Sequence, residues 1–208
     1  MILPSSLTNM TEWTFVGPMG PLVPETLSKH PLIAVDGGAH HSPRLDIWVG
    51  DADSYTGKVN CDHQYKHPVD KNQSDLALAL SFFGENLLYK FHFWGFLGGR
   101  KDHELFNLGE ALTYLENHPE SQIIFYGADG KISFHLLGAG DWKFQHEGLF
   151  SLGTLKKVTV KMTGECKYPI PRSTFVYPLS SLGLSNIGEG TIVLKVDGPV
   201  FIYYPEGK

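Results

Sequence analysis

Three strand-like runs in this chain, rich in apolar residues, each lead into glycines flanked by charged residues. They are Leu32–Val35 before Asp36-Gly37-Gly38, Ile47–Val49 before Gly50-Asp51-Ala52-Asp53, and Phe91–Phe96 before Leu97-Gly98-Gly99-Arg100. Short apolar runs bounded by glycines are typical of buried strands in parallel sheets. Because the carboxyl ends of parallel strands lie along one edge, the pattern predicts a doubly wound sheet whose charged groups share that edge.

The bulk composition excludes several classes of protein. A net charge of -5 and a pI near 6.0 argue against a chain that binds nucleic acid by neutralising phosphates. Two cysteines, Cys61 and Cys166, are too few for a disulfide framework. Neither an apolar run of membrane-spanning length nor a signal-peptide pattern is present in the sequence. We therefore expect a cytoplasmic protein that binds neither nucleic acid nor membrane.

The helical periodicity ends well before the carboxyl terminus. Glu104–Glu116 carries apolar residues at helical spacing, and Ser74-Asp75 has the composition of a helix start. After about Gly138, short alternating runs separated by Gly, Pro and Ser take over. The sequence thus predicts an α/β domain with a parallel, Rossmann-like sheet over residues 1–139 and a small all-β sandwich domain over residues 140–208.

Several aspartates fall at predicted strand ends or at the helix starts that follow them. Carboxylates that converge repel one another unless cations lie between them, and Mg²⁺ prefers carboxylate and phosphate oxygens. Two alternatives stay open at this point, since Asp-x-Asp after a glycine is also an ordinary acidic turn and an acid at a helix start is also a cap. The aspartates concerned are Asp36, Asp51, Asp53, Asp70 and Asp75.

Two glycine pairs add a second kind of signal. Gly37 and Gly38 allow the backbone to approach a ligand closely. Gly98 and Gly99 precede Arg100 at a predicted helix start, where N–H groups, the helix dipole and a guanidinium favour an oxyanion. A glycine turn with a solvated arginine is the alternative. Together with the acids, the loops indicate a nucleotide-phosphate site and phosphoryl or pyrophosphoryl transfer, without the P-loop motif.

Taken in order, these motifs resemble the pattern of the thiamine pyrophosphokinase (thiamine diphosphokinase) family. The resemblance covers roughly residues 33 to 204. The matching segments are Asp36-Gly37-Gly38-Ala39, Gly50-Asp51-Ala52-Asp53-Ser54, Asp70 to Leu80, Gly98-Gly99-Arg100-Lys101-Asp102-His103, Thr163-Gly164 with Lys167-Tyr168-Pro169, and Gly183-Leu184-Ser185-Asn186.

The resemblance implies pyrophosphoryl transfer from ATP to the hydroxyethyl oxygen of thiamine, giving thiamine diphosphate and AMP. It implies that the metal ligands for Mg²⁺ are Asp51, Asp53, Asp70 and Asp75. Arg100 and Asp102 would serve the nucleotide and the reacting groups. The remaining nucleotide-binding positions would be Asp36, Gly37, Gly38, Ser54, Lys71, Ser74, Gly98, Gly99 and His103. Thiamine would bind at Ser185, Asn186 and Trp142, in a homodimer whose thiamine site lies between subunits.

The chain departs from the family pattern at Lys71, where the family has Gln, and at Leu78, where it has Lys. A helix lysine lost near the phosphates removes a neutralising charge, and the flexible ammonium of Lys71 is a candidate to replace it. Two alternative functions follow from these changes. One is pyrophosphoryl transfer to another hydroxyalkyl heterocycle, such as a pterin, and the other is non-catalytic binding of thiamine or nucleotide.

Overall fold

The alternation of apolar runs and glycine turns produces a mixed α/β fold that is mostly strands. The computed structural model describes residues 2–42, 44–51, 59–68, 70, 72–84, 87–205 and 207–208. Of the sequence-predicted site residues, Asp53, Ser54 and Lys71 lie outside these ranges.

Twelve strands and three α-helices are found in the described ranges. The strands are β1 Glu12–Val16, β2 Leu32–Val35, β3 Ile47–Gly50, β4 His63–Lys66, β5 Lys90–Trp94, β6 Gln122–Tyr126, β7 Ile132–Leu137, β8 Gly140–Gly153, β9 Val158–Cys166, β10 Ile170–Val176, β11 Asn186–Val196 and β12 Val200–Tyr203. The helices are α1 Glu25–Ser28, α2 Asp75–Leu80 and α3 Lys101–Asn117, with 3₁₀ turns at Asp36–His41 and Ser181–Gly183. One set of strands is ordered β5-β1-β2-β3-β4 and another is ordered β10-β9-β11-β8-β12-β7.

The chain divides into two compact units. The first runs up to Glu110 and includes Phe125–Lys131, and its strand pairings are parallel: β1 with β2 and β5, β2 with β3, and β3 with β4. β1, β2, β3 and β5 are buried along nearly their whole length, as in Phe15, Phe91 and Phe93, whose side chains are fully inaccessible, whereas β4 is largely exposed. The parallel pairing predicted from the apolar runs is therefore observed here.

The second unit comprises Ala111–Ile124 and Ile132–Lys208, and its pairings are antiparallel. The long strand β8 pairs with β11 through Phe150 and with β12 from Ser151 onward. Buried residues alternate with exposed ones along β11, which places Ile192 and Leu194 in the core. The predicted alternating strands are thus present, whereas the sandwich arrangement and the domain boundary near residue 140 stay predictions.

No described helix is both long enough and apolar enough to cross a membrane.

Candidate functional site

A cavity of about 640 Å³ opens where three parallel strands end. Residues that follow β1, β2 and β5 line it, together with the start of α2 and the first turns of α3. This is the edge at which open parallel sheets bind ligands. The lining residues are Pro18, Met19, Val35, Asp36, Ser74, Asp75, Leu76, Gly95, Phe96, Gly98, Gly99, Arg100, His103 and Asn107.

Asp36 enters the cavity wall in an unusual backbone conformation. Its φ of 49° is left-handed, which is uncommon for a residue with a Cβ. Trp48 holds this conformation by donating an indole N–H to the Asp36 carbonyl at 3.0 Å. Gly50 gives it room, because a Cβ on Gly50 would lie 3.1 Å from the Asp36 Cα. The ends of β2 and β3 therefore fix this carboxylate at the cavity.

Gly37 and Gly38, predicted to bind the nucleotide, are both buried. A Cβ on Gly38 would lie 1.9 Å from the carbonyl oxygen of Val16, far inside contact distance. Glycine at this position is required for the 3₁₀ turn to pack against the end of β1. Neither Gly37 nor Gly38 is among the cavity-lining residues, so contact with a ligand stays a prediction.

The loop before α3 has the glycine geometry that an anion site needs. Gly98 and Gly99 have φ values of 93° and 85°, which favour glycine. A Cβ on Gly99 would also lie 2.6 Å from the Met19 Cε. The Gly98 N–H, however, donates to the Glu104 carboxylate. An internal carboxylate therefore occupies the position predicted for an anionic ligand.

Arg100 is held beside this loop by Asp102. Its Nε donates to Asp102 Oδ1 at 3.1 Å, and its Nη2 donates to Oδ2. These hydrogen bonds from the guanidinium lower the pKa of Asp102 to about 2. Because the Arg100 side chain is 73% exposed, it remains accessible to a ligand while it is paired. Asp102 itself does not line the cavity.

The start of α2 supplies two further predicted residues. Ser74 is the N-cap, since its Oγ accepts the Ala77 N–H at 3.0 Å. The same hydroxyl donates to Glu110 at 3.3 Å. Asp75 is the first helical residue and is half-buried. Ser74 thus provides the cap of α2, and Asp75 lines the cavity beside it.

The cavity brings together only some of the predicted residues. Asp36, Ser74, Asp75, Gly98, Gly99, Arg100 and His103 line it. Asp51 is half-buried directly after β3 and Asp70 is exposed, and neither lines it. Within the described ranges, no three aspartates form a group with metal-ligand spacing. The predicted metal ligands stay a prediction, because Asp53 lies outside those ranges.

The apolar wall of the cavity and one of its polar groups were not predicted from the sequence. Met19, Leu76 and Phe96 provide apolar surface, and Asn107 lines the cavity one helical turn beyond His103. The Asn107 amide donates to the Phe96 carbonyl at 3.0 Å and so ties α3 to the loop after β5. Two features of the sequence could have indicated these residues. They are Gly17-Pro18 after β1 and the four-residue spacing from His103 to Asn107.

In the second unit, Asn186 is engaged by the backbone. Its Oδ1 accepts the N–H groups of Tyr168 at 2.9 Å and Ile187 at 2.8 Å, and its Nδ2 donates to the Tyr168 carbonyl at 2.8 Å. The Ser185 N–H donates to Ser151 Oγ at 3.0 Å. Trp142 is half-buried and donates its indole N–H to the Gly138 carbonyl. Asn186 therefore positions Tyr168, and contact of these residues with a substrate stays a prediction.

Comparison with known proteins gives one family and several similar structures. The family model for the catalytic domain of thiamin pyrophosphokinase matches residues 25–125. Thiamine pyrophosphokinase from Bacillus subtilis has a TM-score of 0.72 at 20% identity, with 94% of this chain and 100% of that chain covered. Thiamin pyrophosphokinase from Candida albicans has a TM-score of 0.73 at 14% identity, with 97% and 90% covered.

A thiamin pyrophosphokinase family protein from Enterococcus faecalis has a TM-score of 0.70 at 19% identity, with 96% of this chain and 100% of that chain covered. At these identities the structural likeness shows a shared fold. Among curated proteins no match was found.

Proposed function

We propose that this chain is a member of the thiamine pyrophosphokinase family, whose catalytic-domain model matches residues 25–125, and that it transfers a pyrophosphoryl group from ATP to the hydroxyethyl oxygen of thiamine. The products are thiamine diphosphate and AMP. The observation that carries the proposal is the cavity that gathers Asp36, Asp75 and the Gly98–Arg100 loop at one sheet edge. Its volume of about 640 Å³ lies within the range of small-molecule sites.

The donor groups at this edge fit Mg²⁺. Asp36 and Asp75 offer carboxylate oxygens in the same cavity wall, and Mg²⁺ is usually bound by one or two carboxylates together with substrate phosphates. We assign the metal to Asp51, Asp53, Asp70 and Asp75, with Asp36 as a further ligand. When bound, the ion neutralises charge on the triphosphate.

The protein's own residues supply positioning and charge. The hydroxyl oxygen of thiamine attacks the β-phosphorus of ATP and gives up its proton to solvent. The bond from that phosphorus to the α,β-bridging oxygen breaks, and AMP leaves with the bonding electron pair. Arg100 is exposed beside the cavity, where its guanidinium can hold phosphate oxygens in a fixed geometry. Asp102 orients that guanidinium through two hydrogen bonds. His103 and Asn107 line the cavity one turn apart and position the nucleotide.

The two units divide the work in this proposal. The parallel unit is the Rossmann-like nucleotide-binding domain. The antiparallel unit is a β-sandwich domain that binds thiamine through Ser185, Asn186 and Trp142 and forms the homodimer. The protein works in the cytoplasm.

Incubation with ATP, Mg²⁺ and thiamine tests the function, with AMP and thiamine diphosphate measured by chromatography. We expect equal amounts of the two products, and none from the Asp75→Asn variant when circular dichroism shows that it is folded. AMP formed only with a hydroxymethyl pterin would instead support the alternative acceptor. Thiamine or ATP binding without turnover by the wild-type protein would support a non-catalytic role.

A further inference from the structure

Three side chains of residue types that can bind a metal converge where β1 and β5 begin. Glu12 is the first residue of β1, His92 lies in β5, and His30 lies in the loop between α1 and β2. Glu12 Oε1 is 2.8 Å from His92 Nε2 and 3.7 Å from His30 Nε2. Each residue offers one donor atom, and the three atoms lie within 4.8 Å of one another. In the part of the chain that the structure describes, this is the one group of three with such spacing.

The backbone holds these side chains in place. In the parallel pairing of β1 with β5, Glu12 is opposite Lys90 and Thr14 is opposite His92. The loop that carries His30 is tied to β1, because the Thr14 N–H donates to the Pro31 carbonyl at 3.0 Å. The rings of His30 and His92 stack with centroids 5.1 Å apart. The group is therefore built on regular strands and an anchored loop, as a preorganised site requires.

His92 also has the outer partner that metal-binding histidines usually have. It is buried, and its Nδ1 lies 2.7 Å from the Tyr126 hydroxyl. Without a metal, the 2.8 Å contact of Nε2 with Glu12 requires Nε2–H to donate, and Nδ1 then accepts from the Tyr126 hydroxyl. Metal binding at Nε2 uses the other tautomer, in which Nδ1–H donates to Tyr126.

The donor atoms are two imidazole nitrogens and one carboxylate oxygen, and the Glu12 side chain is 38% exposed, so an ion in solvent can reach it.

We propose that Glu12, His30 and His92 form a binding site for a divalent transition-metal ion, with Zn²⁺ the best fit and water as the fourth ligand. Two imidazole nitrogens and one carboxylate oxygen are a usual zinc donor set. Bonds of roughly 2.1 Å place the donor atoms of a tetrahedral zinc site about 3.4 Å apart. The distances of 2.8 and 3.7 Å from Glu12 to the two histidines need only small adjustments.

This site is separate from the proposed pyrophosphoryl-transfer site. The cavity is lined by residues that follow β1 and β5, whereas Glu12 begins β1. The four residue steps from Glu12 to Val16 span about 13 Å at roughly 3.3 Å per residue. A protein that does not bind zinc would therefore not contradict the proposed function. Equally, a protein without transfer activity would not contradict the zinc site.

Lys90 competes with the metal. Its Nζ lies 2.8 Å from Glu12 Oε1, so a bound cation requires the ammonium to withdraw. The Lys90 side chain is 39% exposed and can move into solvent. The competing interpretation is an ion-pair network that binds no metal. The two differ in what Lys90→Met does, because removing the ammonium strengthens zinc binding only if the ion occupies this site.

The test uses the full-length, tag-free protein and zinc ion alone, in a buffer without Mg²⁺, with a chromogenic chelator as competitor. We expect one zinc equivalent, whose affinity falls more than about tenfold in His30→Gln and about tenfold or more in Tyr126→Phe. Lys90→Met should raise the affinity for zinc. The matched control is His63→Gln, an exposed histidine on β4, which should bind zinc like the wild type.

Asp75→Asn distinguishes zinc bound at the cavity from zinc bound by Glu12, His30 and His92. This variant should still bind one equivalent of zinc. The proposal is overturned if His30→Gln binds zinc as the wild type does, or if only Asp75→Asn loses the ion. His92→Gln is the less reliable variant because its ring is buried. His30→Gln therefore decides the question, with Co²⁺ absorption bands that disappear in that variant as the second measurement.

Discussion

Glu104 accepts a hydrogen bond from the Gly98 N–H, so the first turn of α3 closes onto the glycine loop that precedes it. The same carboxylate pairs with Lys101 at 2.8 Å. In the proposed function, a phosphate oxygen takes the place of Glu104 at this N–H. Lys101 then keeps the displaced carboxylate paired, which limits the cost of the exchange.

Glu104→Gln should therefore tighten ATP binding. The amide is a weaker acceptor for Gly98 and removes a negative charge near the triphosphate. One hydrogen bond of about 0.5–1.5 kcal/mol corresponds to a gain of roughly two- to tenfold in affinity. Calorimetric titration with ATP measures this change in affinity. The matched control is Glu116→Gln on the same helix, which pairs with Lys156 and should leave ATP affinity unchanged. Equal or weaker binding by Glu104→Gln would contradict the exchange.

Gly38→Ala should destabilise the fold. The new Cβ would lie 1.9 Å from the Val16 carbonyl, and forcing a methyl group into packed structure costs about 1–3 kcal/mol. Urea unfolding measures the change. Gly109→Ala is the control, because in α3 nothing outside the helix backbone lies within 4 Å of its added Cβ and alanine favours helix by about 1 kcal/mol. Similar stabilities for the two variants would be evidence against the packing argument.

The main effect of Asn186→Ala should be a loss of stability rather than a loss of thiamine binding. Its side chain is 2% exposed, and truncation leaves the Tyr168 N–H and carbonyl without that partner. A buried polar group left unsatisfied costs about 1–3 kcal/mol. Chemical denaturation measures this loss of stability, with Gln145→Ala at an exposed position of β8 as a control expected within about 0.5 kcal/mol of the wild type. A raised KM for thiamine at unchanged stability would instead assign Asn186 to the substrate.

His146 should make stability depend on pH. Burial lowers its pKa, and the positive charge of Lys208 lowers it further. The ring packs against Phe150 and Tyr204, where the charged imidazolium is less favourable than in water. Because its folded-state pKa lies below its unfolded value of 6.5, the unfolded chain binds more protons below that pH.

The contribution of His146 to unfolding free energy should therefore fall as pH drops from 6.5 toward its folded pKa, and stay flat above 6.5. Denaturation of the wild type and of His146→Gln in EDTA, at pH 7.5 and at pH 5, isolates the contribution of His146 to the unfolding free energy. The wild type should lose more stability than the variant between the two pH values. Equal losses would exclude His146 as the source.

Lys71 and Leu78 offer a test of charge compensation. Lys71→Gln should lower turnover, because it removes the loop ammonium proposed to replace the family's helix lysine. Leu78 is half-buried in α2, next to the residues that line the cavity. Adding Leu78→Lys to Lys71→Gln should restore turnover in a steady-state assay. A double variant no more active than Lys71→Gln would mean that Lys71 does not compensate.

Much of the fold could be read from local pattern. The run Leu32–Val35 was predicted as a strand and is β2 with the same bounds, since an apolar run before glycines has few other places to be buried. Likewise, Asp36, Asp75 and Arg100 line one cavity, because the ends of parallel strands share an edge. The exposed Asp70 does not line it, although it precedes the same helix.

From the sequence alone, periodicity could predict elements such as β2, β5 and α3 and place Asp36, Asp75 and Arg100 at one sheet edge, because periodicity depends on neighbours along the chain. The strands β4 and β8 were not predicted. Only the tertiary structure decided which distant side chains meet. Glu12 and His92 are 80 residues apart, and the register of β1 against β5 brings them within hydrogen-bonding distance. The same holds for Asn186 at Tyr168, which lies 18 residues away along the chain. Side-chain partners depend on backbone geometry, and no local pattern records them.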